Sequence, residues 1–459
     1  MGPAGPDEMK ALLNHRAHLG SLRRLGLWLL LVTPVAVLAG SASALFLWSL
    51  ERATALRFEY PWLLFFLPLA GVGIVWLYRT FGGNSERGTN LLLDEIHEPG
   101  GGVPVRMAPL VLVTTLLTHL FGGSAGREGT AIQMGGGLAG GFIGWFRIAE
   151  QHRRMLLMAG VAAGFGSVFG TPLAGAVFAM EVLAIGRVRY ESLVPCLLAG
   201  LIGDLTCSAW GIHHTIYHIS VAVPSARFGF GHLDLLLLAK ALLAGVAFGL
   251  ASLLFSDLVH ALQRQFKKRI RLPWLRPVLG GVVVIAFTYA LGTRSYLGLG
   301  VSSPNPADVS ILSCFHSDGA TGWSWLWKLL FTAITLSSGF KGGEVTPLFF
   351  IGAALGNTLS WLLNAPTDLF AGLGFVAVFA GASNTPLACT IMGIELFGAE
   401  HAPYLAAACF VAYLFSGHSG IYGSQRVAIP KVLEHETPAD ITLAELRQRD
   451  DAAGDSKQP

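Results

Sequence analysis

The sequence predicts an all-α polytopic membrane protein made of two inverted repeats, with many tilted, broken and half-spanning helices. Three observations carry that prediction. Of 459 residues, 53% are apolar and only 13% are charged, whereas a soluble protein averages roughly 25% charged. Apolar runs of about 20 residues, the length that crosses a bilayer, recur along the chain. Finally, a glycine-rich acidic motif and its surroundings occur twice, and repeats of this kind in transport proteins are commonly inverted.

Residues 1–24 are polar and end in the basic cluster His15–Arg24. The run Leu25–Leu50 follows. Its basic flank resembles a signal peptide, but its length and the lack of an obvious cleavage site favour a retained span. Pro61–Phe81 is a second span, and Gly82–Leu92 is a polar interruption. Met107–Phe121, Leu156–Phe165, Leu173–Ile185 and Val194–Ile202 are shorter and broken by glycine, which predicts re-entrant or half-spanning helices. Leu233–Leu254 and Leu275–Leu291 are again full-length, while Leu348–Leu363 and Pro386–Phe397 are again short. Beyond Val432 the chain turns polar, with a short helix expected over Leu443–Gln448.

The expected organisation is a cytoplasmic segment at 1–24, a transmembrane domain at 25–432 and a short cytoplasmic tail at 433–459 without an appended globular domain. The repeats fall at about 25–215 and 230–432. Basic clusters at His15–Arg24, Arg147–Arg154 and Lys267–Arg271 flank apolar runs, and such loops stay cytoplasmic. The net charge of +3 resides in those loops, so no nucleic-acid partner is expected. Cys196, Cys207, Cys314, Cys389 and Cys409 show no paired spacing. Neither a disulfide framework, a metal nor a cofactor is expected.

Gly126-Arg127-Glu128-Gly129-Thr130 places a carboxylate in an apolar region, and Gly342-Gly343-Glu344-Val345-Thr346-Pro347 echoes it. An intramembrane carboxylate is costly unless it faces a cavity, a partner or a moving ion. Thr171-Pro172-Leu173-Ala174 is followed by Glu181, as Thr385-Pro386-Leu387-Ala388 is by Glu395. The spacing from Glu128 to Glu344 nearly equals that from Thr171 to Thr385. Glycine lets backbone N–H groups ring a small anion at a helix N-terminus, although glycines also serve close helix packing. Neighbouring residues on a helix point about 100° apart, which argues against pairing between Arg127 and Glu128. Lys341 is placed to neutralise Glu344, which otherwise reads as a second proton-handling carboxylate. Asn90 reads either as an anion contact or as a helix cap. Glu181 and Glu395 read as structural, satisfying backbone groups near helix ends. His119, His213 and His214 lack ligand spacing and read as distant from the pore or interfacial.

The Gly126–Thr130 motif resembles the glycine-arginine-glutamate-glycine signature of the CLC chloride channel and transporter family. The resemblance continues through Thr171–Glu181, Ser338–Gly356 and Asn384–Glu395 and covers most of the chain. It implies a CLC-type fold and a homodimer with one anion pathway per subunit. Four departures stand out. Thr130 replaces the usual proline, and Glu344, Val345 and Thr346 replace the middle of a glycine-x-phenylalanine-x-proline motif. Val182 stands where many exchangers carry an inner proton-relay glutamate. The serine-bearing motif is absent; its place is taken by Gly88-Thr89-Asn90 or, second, by Gly83-Asn84-Ser85.

This set is similar to the bacterial fluoride branch, the proton-coupled fluoride exporters of the inner membrane. The resemblance implies fluoride, or chloride, and protons as partners in a lipid-embedded transporter that is not an enzyme. Glu128 and Glu344 would be the gate and proton-transfer groups. Thr89, Asn90, Gly126, Arg127, Gly129, Thr130, Gly343, Val345, Thr346 and Tyr422 would contact the anion. Two other readings remain open. One is a chloride/proton exchanger or passive anion channel. The other is an intramembrane serine hydrolase, from Gly417-His418-Ser419-Gly420, for which no matching histidine base is evident.

Overall fold

The computed structural model describes residues 15–221, 233–431 and 440–455. The expected segment 1–24 therefore lies outside the described residues up to position 14, as do positions 432–439 and 456–459 around the tail. The first half holds α1 (His15–Glu59), α2 (Leu67–Leu77), α3 (Thr89–His97), α4 (Met107–Leu120), α5 (Glu128–Trp145), α6 (Glu150–Phe169), α7 (Pro172–Glu181) and α8 (Leu193–Ala209). The second holds α9 (Leu235–Arg269), α10 (Leu275–Leu291), α11 (Ser324–Ser337), α12 (Val345–Leu363), α13 (Thr367–Ser383), α14 (Pro386–Phe397) and α15 (Ala402–Phe415). A helix α16 (Leu443–Asp455) closes the described chain. At 1.5 Å per residue, α1 is roughly 68 Å long, about twice the hydrocarbon thickness, so it crosses with length to spare.

The repeat is legible in the helix starts. Met107 corresponds to Ser324, Glu128 to Val345 and Glu150 to Thr367 at one constant offset, and Pro172 to Pro386 at a nearly equal one. Thus α4–α7 recur as α11–α14. Their relative orientation follows from two glutamates. Glu181 ends α7, and its carboxylate accepts the backbone N–H groups of Leu387 and Ala388 at the start of α14, at 3.1 and 2.8 Å. Glu395, near the end of α14, accepts those of Leu173 and Ala174 at the start of α7, at 2.9 and 2.8 Å. Each helix caps the other, so the two run antiparallel about a local two-fold: the repeat is inverted. A glutamate at its own helix's C-terminus opposes that dipole; here it serves another helix's N-terminus, where negative charge is favoured. The structural role expected for this pair is the one observed.

Several helices are longer than expected. The runs Leu156–Phe165, Val194–Ile202 and Leu348–Leu363 sit in helices of 20, 17 and 19 residues, and the latter two segments are long and apolar enough to cross a bilayer, unlike the half-spans expected there. Glycine weakens a helix by about 1 kcal/mol per residue, but here it is used for packing. A Cβ at Gly135 would fall 2.1 Å from the Gly160 carbonyl oxygen, and one at Gly352 would fall 1.9 Å from that of Gly374. These are the α5–α6 and α12–α13 contacts, equivalent in the two halves. By contrast, α7 and α14 remain short, with 10 and 12 residues, as expected. The interior is centred on α6 and α13, whose residues Leu156–Phe169 and Leu369–Ser383 are all buried.

A small sheet ties down the tail. β1 (Ala184–Ile185) pairs parallel with β2 (Arg426–Val427), which pairs antiparallel with β3 (Ile441–Thr442). The tail helix α16 extends to Asp455 rather than Gln448. Its start is a capping box: Glu445 accepts from the Thr442 N–H and hydroxyl, and Thr442 Oγ1 accepts from the Glu445 N–H. Lys431 anchors the preceding segment. Its Nζ donates to Asn384 Oδ1, the Tyr413 carbonyl and Ser416 Oγ at 2.5, 2.7 and 2.9 Å.

Candidate functional site

The two acidic motifs meet in space. The loop before α5 and the loop before α12 pair antiparallel through Gly126 and Gly343, with N···O distances of 2.6 and 2.8 Å. Glycine is required at both places. A Cβ at Gly126 would lie 2.9 Å from the Gly343 oxygen, and one at Gly343 would lie 2.7 Å from the Gly129 nitrogen. This bridge brings the N-terminus of α5 to the N-terminus of α12. Both ends carry unpaired N–H groups and positive dipole ends, which together favour an anion.

The group found there is a carboxylate. Glu128 is fully buried, and its oxygens accept from the Thr346 N–H at 3.0 Å and the Arg127 N–H at 3.1 Å. Thr346 Oγ1 lies 2.6 and 2.7 Å from the two carboxylate oxygens. The carboxylate therefore sits among donors from both halves. Phe169, Tyr217, Phe349 and Phe375 wall the pocket, which leaves a cavity of only about 10 Å³, room for one water at most.

Two expectations change at this point. Arg127 does pair with Glu128, Nε to Oε1 at 3.4 Å. The helical-angle argument fails because Arg127 is the residue preceding α5, outside its regular geometry. Lys341 makes no ion pair with Glu344 among the described residues. Its ammonium lies 3.4 Å from the Glu86 carbonyl and over the Tyr78 ring at 4.4 Å. The Thr346 hydroxyl bonds Glu128. Glu344 itself precedes α12 and is half-buried; a Cβ added at Gly129 would lie 3.8 Å from its Oε2, so it flanks α5. Val345 is buried in the first turn of α12.

The remaining predicted residues fall in two places. The Thr130 hydroxyl is bonded to Thr115 Oγ1 at 2.8 Å, tying α5 to α4 within the first half. Tyr422 is buried, and among the described residues its hydroxyl has no hydrogen-bond partner. Asn90 is not a helix cap. Its Oδ1 accepts from the Ser424 N–H at 3.0 Å, so the start of α3 abuts the loop that carries Tyr422. Thr89 Oγ1 accepts a long bond, 3.5 Å, from Gln133 of α5. Asn84 and Asn90 both line a cavity of about 810 Å³ with Lys341 and Ser424, and Ser85 Oγ is buried without a partner.

Some residues near the site were placed wrongly by the sequence or carry no signal in it. His119 is not distant: its ring nitrogens lie 2.9 and 3.0 Å from the carbonyls of Thr115 and Ala125, bracing the loop that leads into Glu128. His214 lines the small pocket around Glu128. Ser124 bonds Thr332 and Thr335 of α11, joining the halves again. The Ser419 hydroxyl donates to Asp257 at 2.7 Å and the His418 ring accepts from the Lys431 N–H, so the adjacent histidine does not act as the serine's base.

A profile of the family described as "Voltage gated chloride channel" matches residues 70–417. A "Chloride/fluoride channel protein" of Pseudomonas syringae pv. tomato is 48% identical over 427 residues, 92% of this chain and 91% of that protein. A "Putative chloride channel protein ClcB-like" of Ralstonia nicotianae is 28% identical over 73% of this chain and 71% of its own length. Among solved structures, a CLC-type fluoride/proton antiporter superposes with a TM-score of 0.81 at 35% identity, covering 88% of this chain and 98% of its own. A slow cyanobacterial Cl⁻/H⁺ antiporter gives 0.71 at 19% identity, over 85% and 94%, which supports the shared fold.

Proposed function

The chain belongs to the voltage-gated chloride channel (CLC) family, and on that premise we propose that it is a proton-coupled fluoride exporter with Glu128 as gate and proton carrier. The observation that carries this reading is the Glu128 carboxylate seated among N–H and hydroxyl donors from two helix N-termini. When ionised it fills the anion's position. When protonated or displaced it surrenders those donors, so proton and anion compete for one site, the minimum that exchange requires.

Fluoride is small and strongly hydrated, and its dehydration demands close, strong donors. Thr346 supplies an N–H and a hydroxyl to the same carboxylate, and the buried Tyr422 hydroxyl, unpartnered among the described residues, is a further donor in this reading. The 48%-identical relative named for chloride and fluoride, together with the fluoride/proton antiporter likeness, supports fluoride over chloride. Glu344, beside the gate helix, is the second proton-handling group in this reading, in place of Val182. Thr89 and Asn90 act on the opposite approach, through the loop that carries Tyr422. By the basic-loop rule the N-terminus and the 810 Å³ cavity face the cytoplasm of the bacterial cell. The unit is a homodimer with one pathway per subunit, α8 offering an exposed apolar row of Leu193, Val194, Leu201 and Leu205. A monomeric mass for the detergent-solubilised protein would remove the dimer.

The test is flux in liposomes. An imposed fluoride gradient should drive protons uphill, with chloride moving far more slowly. Equal chloride flux with proton movement would mark a chloride exchanger, and flux without protons a passive channel.

A further inference from the structure

We propose that Arg57 and Arg294 form a second anion-binding position, outside the gate, in the cavity on the face where α1 ends. Arg57 lies in the last turn of α1 and is 7% exposed. Its Nε is buried without a hydrogen-bond partner, and among the described residues no carboxylate lies within ion-pair distance. The guanidinium stacks over Phe58 at 4.6 Å. The neighbouring loop does not serve it. The carbonyls of Tyr296 and Gly298, which pass beside it, are taken by the buried ammonium of Lys328 at 3.2 and 2.8 Å. A Cβ at Gly298 would lie 3.0 Å from Arg57 Nη2, so the loop packs on the guanidinium without neutralising it.

A buried cation without a counter-ion is expensive to hold. Here the environment offers it a mobile one. Arg57 and Arg294 line a cavity of about 540 Å³ together with His213, His214 and Arg127. Its acidic wall residues are Glu51, which is exposed, and Asp308, whose carboxylate accepts from Ser303 and Asn305. Arg127, His214, Thr215 and Val301 line both this cavity and the gate pocket, so an anion held by the two arginines is next in line for the Glu128 site. The ligand class is a small monovalent anion. A guanidinium pair in a wide cavity holds charge without sizing the ion, so this position concentrates anions while the Thr346 site selects among them.

The consequence for transport rests on the exchange function proposed above, whereas occupancy of the position does not. Two measurements keep them apart. Crystals soaked in bromide should show anomalous density beside Arg57 in the native protein and none in Arg57→Met. Absence of bromide there in the native protein overturns the proposal, whatever the protein transports. In liposomes, Arg57→Met should raise the half-saturating fluoride concentration on that face by about tenfold, as expected for loss of local ion concentration, while Arg57→Lys recovers most of it. Arg52→Met, on the same helix but outside the cavity, should leave it unchanged. An unchanged half-saturation in Arg57→Met, or an equal rise in Arg52→Met, overturns the relay role.

Discussion

Thr346 gives Glu128 both a backbone and a side-chain donor, and the two can be separated. Thr346→Val keeps the N–H and the shape but removes the hydroxyl. A hydrogen bond to a charged group contributes about 1.5–3 kcal/mol, so fluoride turnover at limiting concentration should fall by about tenfold or more, with Thr346→Ser restoring it. An unaltered Thr346→Val would show that the hydroxyl serves only the closed gate. Tyr422→Phe separates stability from transport in the opposite sense. Its buried, unpartnered hydroxyl costs the resting protein about 1–3 kcal/mol. The variant should therefore melt no lower than the native protein while fluoride flux drops. A lower melting temperature with normal flux would place the hydroxyl in a structural bond instead. Glu128→Gln should carry anion without proton coupling; coupling that survives would remove the gate assignment.

At the scale of elements, the reciprocal caps of α7 and α14 predict a coupled pair of defects. Glu395→Ala strands two N–H groups at the start of α7, costing about 1–3 kcal/mol, and Glu181→Ala does the same to α14. Because the two helices pack on each other, the double variant should cost less than the sum, read as thermal stability in detergent in a double-mutant cycle. Strict additivity would mean that the caps act independently. These short helices were legible in sequence because a threonine precedes a proline at the first helical position in each, a local start signal. The extents of α6, α8 and α12 were not. Glycine reads as a break in one dimension, and its reason, a neighbouring carbonyl standing where a side chain would have to start, exists only across a helix pair. The site divides the same way. Glu128, Gly126 and Gly343 announce themselves by their unusual composition. The bond from Thr346 to Glu128, Lys341 turning toward Glu86, and His119 bracing Ala125 depend on which way side chains leave their helices. For Thr346 and Lys341 that direction is set by contacts with the opposite half of the chain.

For the whole molecule, the basic-loop rule places the end of α9 on the cytoplasmic side. A cysteine introduced at Lys268 should react with an impermeant maleimide only after cells are permeabilised; labelling of intact cells would invert the topology and exchange the faces of the two cavities. The hydrogen-bonded bridge between Gly126 and Gly343 reaches further than geometry. Its two partners come from different halves, so neither half owns all the donors around Glu128, and the site is in effect the seam of an internal dimer. The two segments face each other as the equivalent faces of a two-fold dimer do, in keeping with the local two-fold that relates α7 and α14. The two sides of the seam nevertheless differ: Arg127 and Glu128 stand on one, Glu344 and Thr346 on the other.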